Sequence, residues 1–437
     1  DSCTLAAGAF QIVDLSDPYS PSPTASGDLD AAHGGICPSA VGTFTSSAGV
    51  PYAIITGVDG YQIIDVSVPQ SPTFAGSGSH GMNVTGGLAI FSIAGNNYAI
   101  VTSGLVNSFQ QPPYPRGKPS LDASQLVGPA YEGIKIIDLT DPQSPTVVGS
   151  AQHGVADADG NTCDWLKGAA SVATYTDNPL VGNQRHYAII GGGPTSTAVD
   201  RMGPPGLQFI KLDDPSAPLC VAFQDFSSSY FFRTDAVVKD IATFTRTNAS
   251  GFENNYAIAV HIDDWGGGYV VIDLINPESP TTVAGGLTDE EFTDPGSVVT
   301  MDDGTYAIMT NVYQLSGAVD ALYVDLNDPT NPKAGGVTTL TGVDQGGVNR
   351  TMSMVVDRGL AMFRMGIHQY AMVTNWELAA ESPRESAIAI LEPPPPPPSP
   401  PPPQSPPPPR LPPPPPGPPE APPTPPAPPA PPAPPPS

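Results

Sequence analysis

Short apolar runs punctuated by proline and glycine organise residues 1–392, and two phrases recur in them. The first is Tyr-Ala-Ile/Met followed by another residue, mostly apolar. It appears at Tyr52, Tyr98, Tyr187, Tyr256, Tyr306 and Tyr370. The second is an apolar strand running into Asp-Leu-x-x-Pro-x-x-Pro, at Ile12-Val-Asp-Leu, Ile63-Ile-Asp-Val, Ile136-Ile-Asp-Leu, Ile272-Asp-Leu and Val324-Asp-Leu. A degenerate copy, Phe209-Ile-Lys-Leu, has Lys211 in place of the aspartate. Each copy then meets Pro18, Pro69, Pro142, Pro215, Pro277 or Pro329, and after it a short apolar-glycine stretch such as Val147-Val-Gly. A third phrase precedes the Tyr-Ala run: Leu88-Ala-Ile-Phe and Leu360-Ala-Met-Phe, with Val172-Ala-Thr-Tyr and Ile241-Ala-Thr-Phe as variants. Runs rich in β-branched and aromatic residues between Pro and Gly predict strands joined by tight turns. The predicted unit is an inner strand, a Tyr-Ala strand, an Asp-Leu strand and a short outer strand.

Four strands recurring every ~50–70 residues are the signature of a propeller blade. The phrases resemble those of the LVIVD-repeat family of β-propellers, over nearly all of residues 1–392. The resemblance implies an all-β propeller and leaves function open, because that scaffold hosts many activities. Five complete sets run from about Ala40 to Gly336. A sixth inner strand and Tyr-Ala strand lie at Leu360 and Tyr370, and their complement stands at the other end of the chain, at Phe10–Leu15 and Pro23–Gly27. We therefore expect six blades closed by two strands from each terminus, with Phe10–Leu15 beside Tyr370–Val373; seven blades is the competing count. Ala387–Leu391 is left over.

The second domain is residues 393–437, of which 32 of 45 are proline. Consecutive prolines fix φ and remove amide donors, so neither helix nor sheet forms. What remains is a polyproline II rod rising about 3.1 Å per residue, which would span on the order of 140 Å. Ser399 and Ser405, each followed by four prolines, resemble the hydroxyproline-rich glycoproteins of green-algal and plant cell walls. That resemblance implies hydroxylation and O-glycosylation, with Pro394, Pro395, Pro396, Pro397, Pro401, Pro402, Pro407, Pro408, Pro413 and Pro414 as candidates. The plainer reading is a solvated spacer or a ligand for proline-binding modules.

Forty-two acidic against 16 basic residues give a net charge of −26, which argues against nucleic acid and anionic membranes as partners. No apolar run approaches the roughly 20 residues of a membrane span. The chain opens on Asp1, as expected after removal of a signal peptide. Four cysteines without CxxC spacing allow three connectivities, of which Cys3–Cys37 with Cys163–Cys220 is the simplest. Sequons at Asn83, Asn248 and Asn349 are expected on exposed loops and glycosylated. Together these features predict a secreted, extracellular glycoprotein.

Candidate chemistry is sparse. The repeated aspartate recurs whatever its neighbours, so it is expected to accept backbone amides and organise the proline turn rather than bind metal. His33, His80 and His153, each followed by glycine, precede three consecutive inner strands, where they form either a turn motif or a converging metal site. Asp157, Asp159, Asn161 and Asp164 resemble a truncated calcium loop around Gly160 that lacks the distal glutamate; the alternative is a polar loop tied down by Cys163. Asp263-Asp264-Trp265 followed by three glycines is either a sugar-binding or acid–base pair or a hairpin, and Asp302-Asp303-Gly304 reads as a turn. Inserts of the length of Leu105–Glu132 and Thr176–Gly206 are either functional or disordered, and a functional one reads as an interaction surface rather than an active site, with Tyr114 suited to stacking on a polyproline rod. There is no Gly-x-Ser-x-Gly and no His-Glu-x-x-His, so no enzymatic activity is expected. No cofactor is expected to be required, and bound calcium is possible. The expected function is a structural subunit of an extracellular fibre or cell-wall matrix, with copies of the chain joined head to tail through glycosylated rods. The alternatives are a stalked adhesin or carbohydrate-binding head and, third, a wall-displayed hydrolase.

Overall fold

In the computed structural model the chain divides into two units, Asp1–Pro394 and Pro395–Ser437. The structure describes residues 9–391 except 17–21, 30–35, 37, 58–59, 83–84, 104–132, 165, 167, 178–183, 193–205, 227–235, 248–252, 264–265, 288–294, 302–303, 312–319, 340, 344–348, 352–354, 366–367 and 376–387.

The described residues are all β. β1 (Ala9–Asp14) and β2 (Ser22–Asp28) form an antiparallel hairpin. Five four-stranded antiparallel sheets follow in chain order. Sheet I is β3 (Pro38–Thr45), β4 (Pro51–Gly57), β5 (Gly60–Asp65) and β6 (Thr73–Ser79). Sheet II is β7 (Thr85–Ile93), β8 (Asn96–Ser103), β9 (Gly133–Asp138) and β10 (Thr146–Gln152). Sheet III is β11 (Ser171–Asp177), β12 (Arg185–Gly192), β13 (Gly206–Lys211) and β14 (Leu219–Asp225). Sheet IV is β15 (Val237–Thr247), β16 (Glu253–Asp263), β17 (Gly266–Asp273) and β18 (Thr281–Leu287). Sheet V is β19 (Pro295–Thr300), β20 (Tyr306–Asn311), β21 (Asp320–Asp325) and β22 (Lys333–Thr339). The last sheet contains β23 (Thr341–Val343), β24 (Asn349–Thr351), β25 (Val355–Met365), β26 (His368–Asn375) and β27 (Ile388–Leu391) in the order β24-β23-β27-β26-β25.

Inner strands lie side by side from sheet to sheet: β3 by β7, β7 by β11, β11 by β15, β15 by β19 and β19 by β25. This radial stacking of successive meanders is a β-propeller. The phrases fix the register. Tyr of the second strand stands opposite Asp of the third in Tyr52↔Asp65, Tyr98↔Asp138, Tyr256↔Asp273 and Tyr306↔Asp325, and opposite Lys211 from Tyr187. Tyr52, Tyr98, Tyr187 and Tyr256 stack on the aromatic residue of the inner strand, with ring centroids 5.5 Å apart for Phe44–Tyr52 and 5.4 Å for Tyr175–Tyr187. Between sheets the interior is filled by side chains from both faces. One cluster joins Ile100 and Ile136 of sheet II to Ala188 and Ile190 of sheet III, and another joins Phe209 to Val270 and Ile272.

Threonine of the inner strands has a job between sheets. The Thr174 hydroxyl donates to Ile90 O (3.2 Å), Thr243 to Thr174 O (3.2 Å) and Thr300 to Thr243 O (2.9 Å). These bonds run along the line of inner strands, tying each to the one before.

The expected closure by two strands from each end does not form. β26 pairs with β27 in the register Ala371↔Leu391 to Thr374↔Ile388, and among the described residues β1 pairs with β2 alone. The strand counted as left over fills the place expected for Phe10–Leu15. Its advantage is local: β27 follows β26 closely, whereas β1 would have to close a loop of nearly the whole head.

Candidate functional site

The repeated aspartate organises turns. Asp14, Asp65, Asp138, Asp273 and Asp325 each accept the amide two residues on, every time at 2.8 Å through Oδ1. The bond to the Ser67 amide and hydroxyl holds the Asp65 carboxyl below its ordinary range. A second such turn follows at the residue before the proline: Asp141, Asp214, Asn276 and Asp328 accept from Gln143, Ser216, Glu278 and Thr330. The sequence reading missed this second set, although its signal, Asp/Asn-Pro, is present in each of these copies.

Inner strands begin, and second strands end, on one face of the propeller, and polar side chains gather there. Thr56, Thr102, Ser103, Ser171, His261, Ser297, Thr310, Asn311 and Asp320 are all buried. Three of these serve the backbone, and so does the half-buried Asp240: Thr102 Oγ1 accepts from Gly87 N (2.6 Å), Ser103 Oγ from Gly133 N (2.6 Å), Asn311 Oδ1 from Asp320 N (2.8 Å) and Asp240 Oδ2 from Val298 N (3.0 Å). The Ser39 and Thr85 hydroxyls bond to each other across sheets I and II. Burial depresses His261 to about 4, so the ring is neutral at pH 7.

His80 is buried with both ring nitrogens engaged. Nδ1 accepts from Met82 N at 3.1 Å, which leaves Nε2–H to donate to Gly57 O at 3.1 Å. It is a turn residue, as the plainer of the two readings had it. His153 sits beside Cys163 in an isolated bridge, and His33 lies outside the described residues. Asp157 likewise serves the backbone: Oδ1 accepts from Asp159 N (3.0 Å) and Asn161 N (2.9 Å), and Oδ2 from Cys220 N (2.9 Å). Asp164 accepts from the Thr162 hydroxyl at 2.7 Å. Cys163 and Cys220 form a disulfide with Cα atoms 5.6 Å apart, fastening this loop to β14. Among the described residues no group of three His, Cys, Asp or Glu side chains comes together to hold a metal ion.

Several other predicted positions lie outside the described residues: Cys3, Cys37, Asn83, Asn248, Tyr114, Asp264, Trp265, Asp302, Asp303 and every proline of the tail. Asn349 differs from its expected place on a loop, since it opens β24 opposite Val343. Gly304 has φ +65° and its amide bonds Met301 O at 2.8 Å, a tight turn that glycine makes without strain.

A cavity of about 420 Å³ lies between the β1–β2 hairpin and the β5–β6 edge of sheet I. Phe10 and Phe74 give it aromatic walls, and Gln70, Ser71 and Pro72 its opposite lip. No sequence phrase pointed to it, because it arises where the hairpin meets the first complete sheet.

No family model matches the chain, and no curated protein matches it. Solved structures do. An α-L-arabinanase of Penicillium chrysogenum complexed with arabinobiose is 7% identical, with 80% of this chain and 92% of that one covered and a TM-score of 0.44. The Dos1 propeller is 11% identical over 84% and 73%, TM-score 0.42, and a thermostable family-43 glycoside hydrolase is 9% identical over 70% and 89%, TM-score 0.34. The expectation of no enzymatic activity is corrected here: glycoside hydrolases stand among the similar structures, so the absence of sequence motifs is no ground for excluding catalysis. At these identities the likeness names no reaction and no substrate for this chain.

Proposed function

We propose that the chain is a secreted structural subunit of an extracellular glycoprotein fibre, in which propeller heads are joined head to tail by polyproline rods. The observation that carries this reading is the tail, 32 prolines in the 45 residues that follow the head. Such a rod has no core, and its carbonyls face outward without amides to meet them, so its order comes from attached sugars or from a partner surface. Hydroxylated, O-glycosylated Pro394–Pro397, Pro401, Pro402, Pro407, Pro408, Pro413 and Pro414 supply the first, and a neighbouring head supplies the second. The Cys163–Cys220 disulfide and the three sequons fit an oxidising, extracellular compartment. A contact between unlike surfaces that does not close generates a filament.

Electron microscopy of the purified full chain beside a chain ending at Glu392 tests this. Fibres from the first and single particles from the second are expected. Single particles from both, with polysaccharide bound or cleaved, would move the reading to an adhesin or a hydrolase.

A further inference from the structure

We propose that the cavity between the β1–β2 hairpin and the β5–β6 edge is a docking groove for the proline tail, residues 393–437, of a second copy of this chain. The inference rests on the fibre reading above and names the surface that receives the rod.

The corresponding space between sheets I and II is closed by two devices. Gly76 of β6 lies against the Pro142 carbonyl, with Pro145 Cδ 3.1 Å from where a Cβ would stand. Tyr61, above Gly78, donates its hydroxyl to Pro145 O at 3.2 Å. The hairpin has different residues at both places. Ala25, paired with Ile12 as Gly76 is with Ile63, carries the Cβ that such an approach excludes. Phe10, paired with Gly27 as Tyr61 is with Gly78, has no hydroxyl with which to reach the next turn. Further round, Ala222 and Ala284 at the same place pack against hydrophobic clusters, whereas Ala25 lines open space.

The lining is the chemical complement of polyproline. That ligand offers flat pyrrolidine faces and carbonyl acceptors, and no amide donors. Aromatic grooves recognise its faces, and here Phe74, 38% exposed, supplies the ring at the mouth, while Phe10, packed with Leu29 and Ile64, forms part of the apolar floor. Its carbonyls need donors, which Gln70, Ser71 and Ser26 carry. The cavity's ~420 Å³ is within the usual range for ligand sites and takes a few prolines. The tail is the polyproline at hand, on the order of 140 Å long when extended, enough to reach a neighbouring head.

Mixing two full-length variants, Ser71→Cys with Ser399→Cys, Ser405→Cys or Thr424→Cys in turn, tests the contact by oxidative cross-linking and peptide mapping. A cross-link between the groove of one copy and the tail of another is expected from at least one pair. Phe74→Ala should weaken self-association of the full chain about tenfold, and Val41→Ala, on an exposed residue elsewhere, should not. If Phe74→Ala lowers the melting temperature, Ser71→Trp, which fills the groove from an exposed lip, replaces it. A chain that assembles undiminished by either substitution and yields no cross-link overturns the groove and leaves the fibre reading standing. A wild-type chain that stays monomeric at all concentrations overturns both.

Discussion

His261 shows what burial does to a single residue in this fold. The ring lies within the second strand of sheet IV, fully out of solvent, and its pKa falls from 6.5 to about 4. Between those values the unfolded chain binds a proton that the folded chain refuses, so stability drops as pH falls through this window and is complete above it. The full effect is about 3 kcal/mol. Thermal melts from pH 7 to 4 should show this loss, and a His261→Gln variant should flatten that part of the profile. Thr243 is the second test at this scale, because its hydroxyl donates to Thr174 O and its carbonyl accepts from Thr300. Thr243→Val keeps the shape and removes one bond between sheets, costing about 1 kcal/mol. Denaturant melts measure it, and an unchanged midpoint would show that water replaces the bond. The sequence displayed these threonines as a variant phrase without saying why, since the acceptor belongs to a different sheet.

At the level of elements, the repeat was legible because each phrase satisfies its own local rule. Apolar alternation makes the strand, Asp caps the turn, and proline ends it. Pairings that cross the repeat were not legible. Ile388-Ala-Ile-Leu391 followed by Glu392 and Pro393 is itself an apolar strand ending in an acid and a proline. Its register sets Leu391 opposite Ala371 just as Ile64 stands opposite Ala53. Two strands thus compete for one edge, and pattern alone does not rank a near strand against a distant one. Glycine contacts between sheets were hidden for the same reason. A Cβ at Gly149 would collide with the Pro215 carbonyl and meet Pro218 Cδ at 3.4 Å, both from the next sheet. Gly149→Ala should therefore cost about 1–3 kcal/mol, whereas alanine at Gly76 meets the same kind of turn in sheet II and should behave alike. Calorimetry of the two variants checks this, and a gain in stability at either would mean that the sheets slide apart freely.

Over the whole molecule, charge and tail are separated. The chain carries −26, yet the tail contributes only Arg410 and Glu420, so the surplus belongs entirely to the head. Heads joined head to tail repel one another, and the rod that joins them is neutral. Its proposed groove is built of rings and uncharged donors, with Asp28 the one charged residue in the lining. Salt should then act on the repulsion and leave the attraction alone. Raising ionic strength from about 0.01 M to about 0.15 M shortens the Debye length from about 30 Å to about 8 Å. Light scattering of the full chain should show association that strengthens, or at least persists, across that range. Tail hydration favours the same direction, because apolar pyrrolidine faces bury more readily as salt rises. Dissociation on adding salt would instead place opposite charges at the contact, which neither Arg410 nor Glu420 alone supplies, and would remove the neutral rod as the linking element.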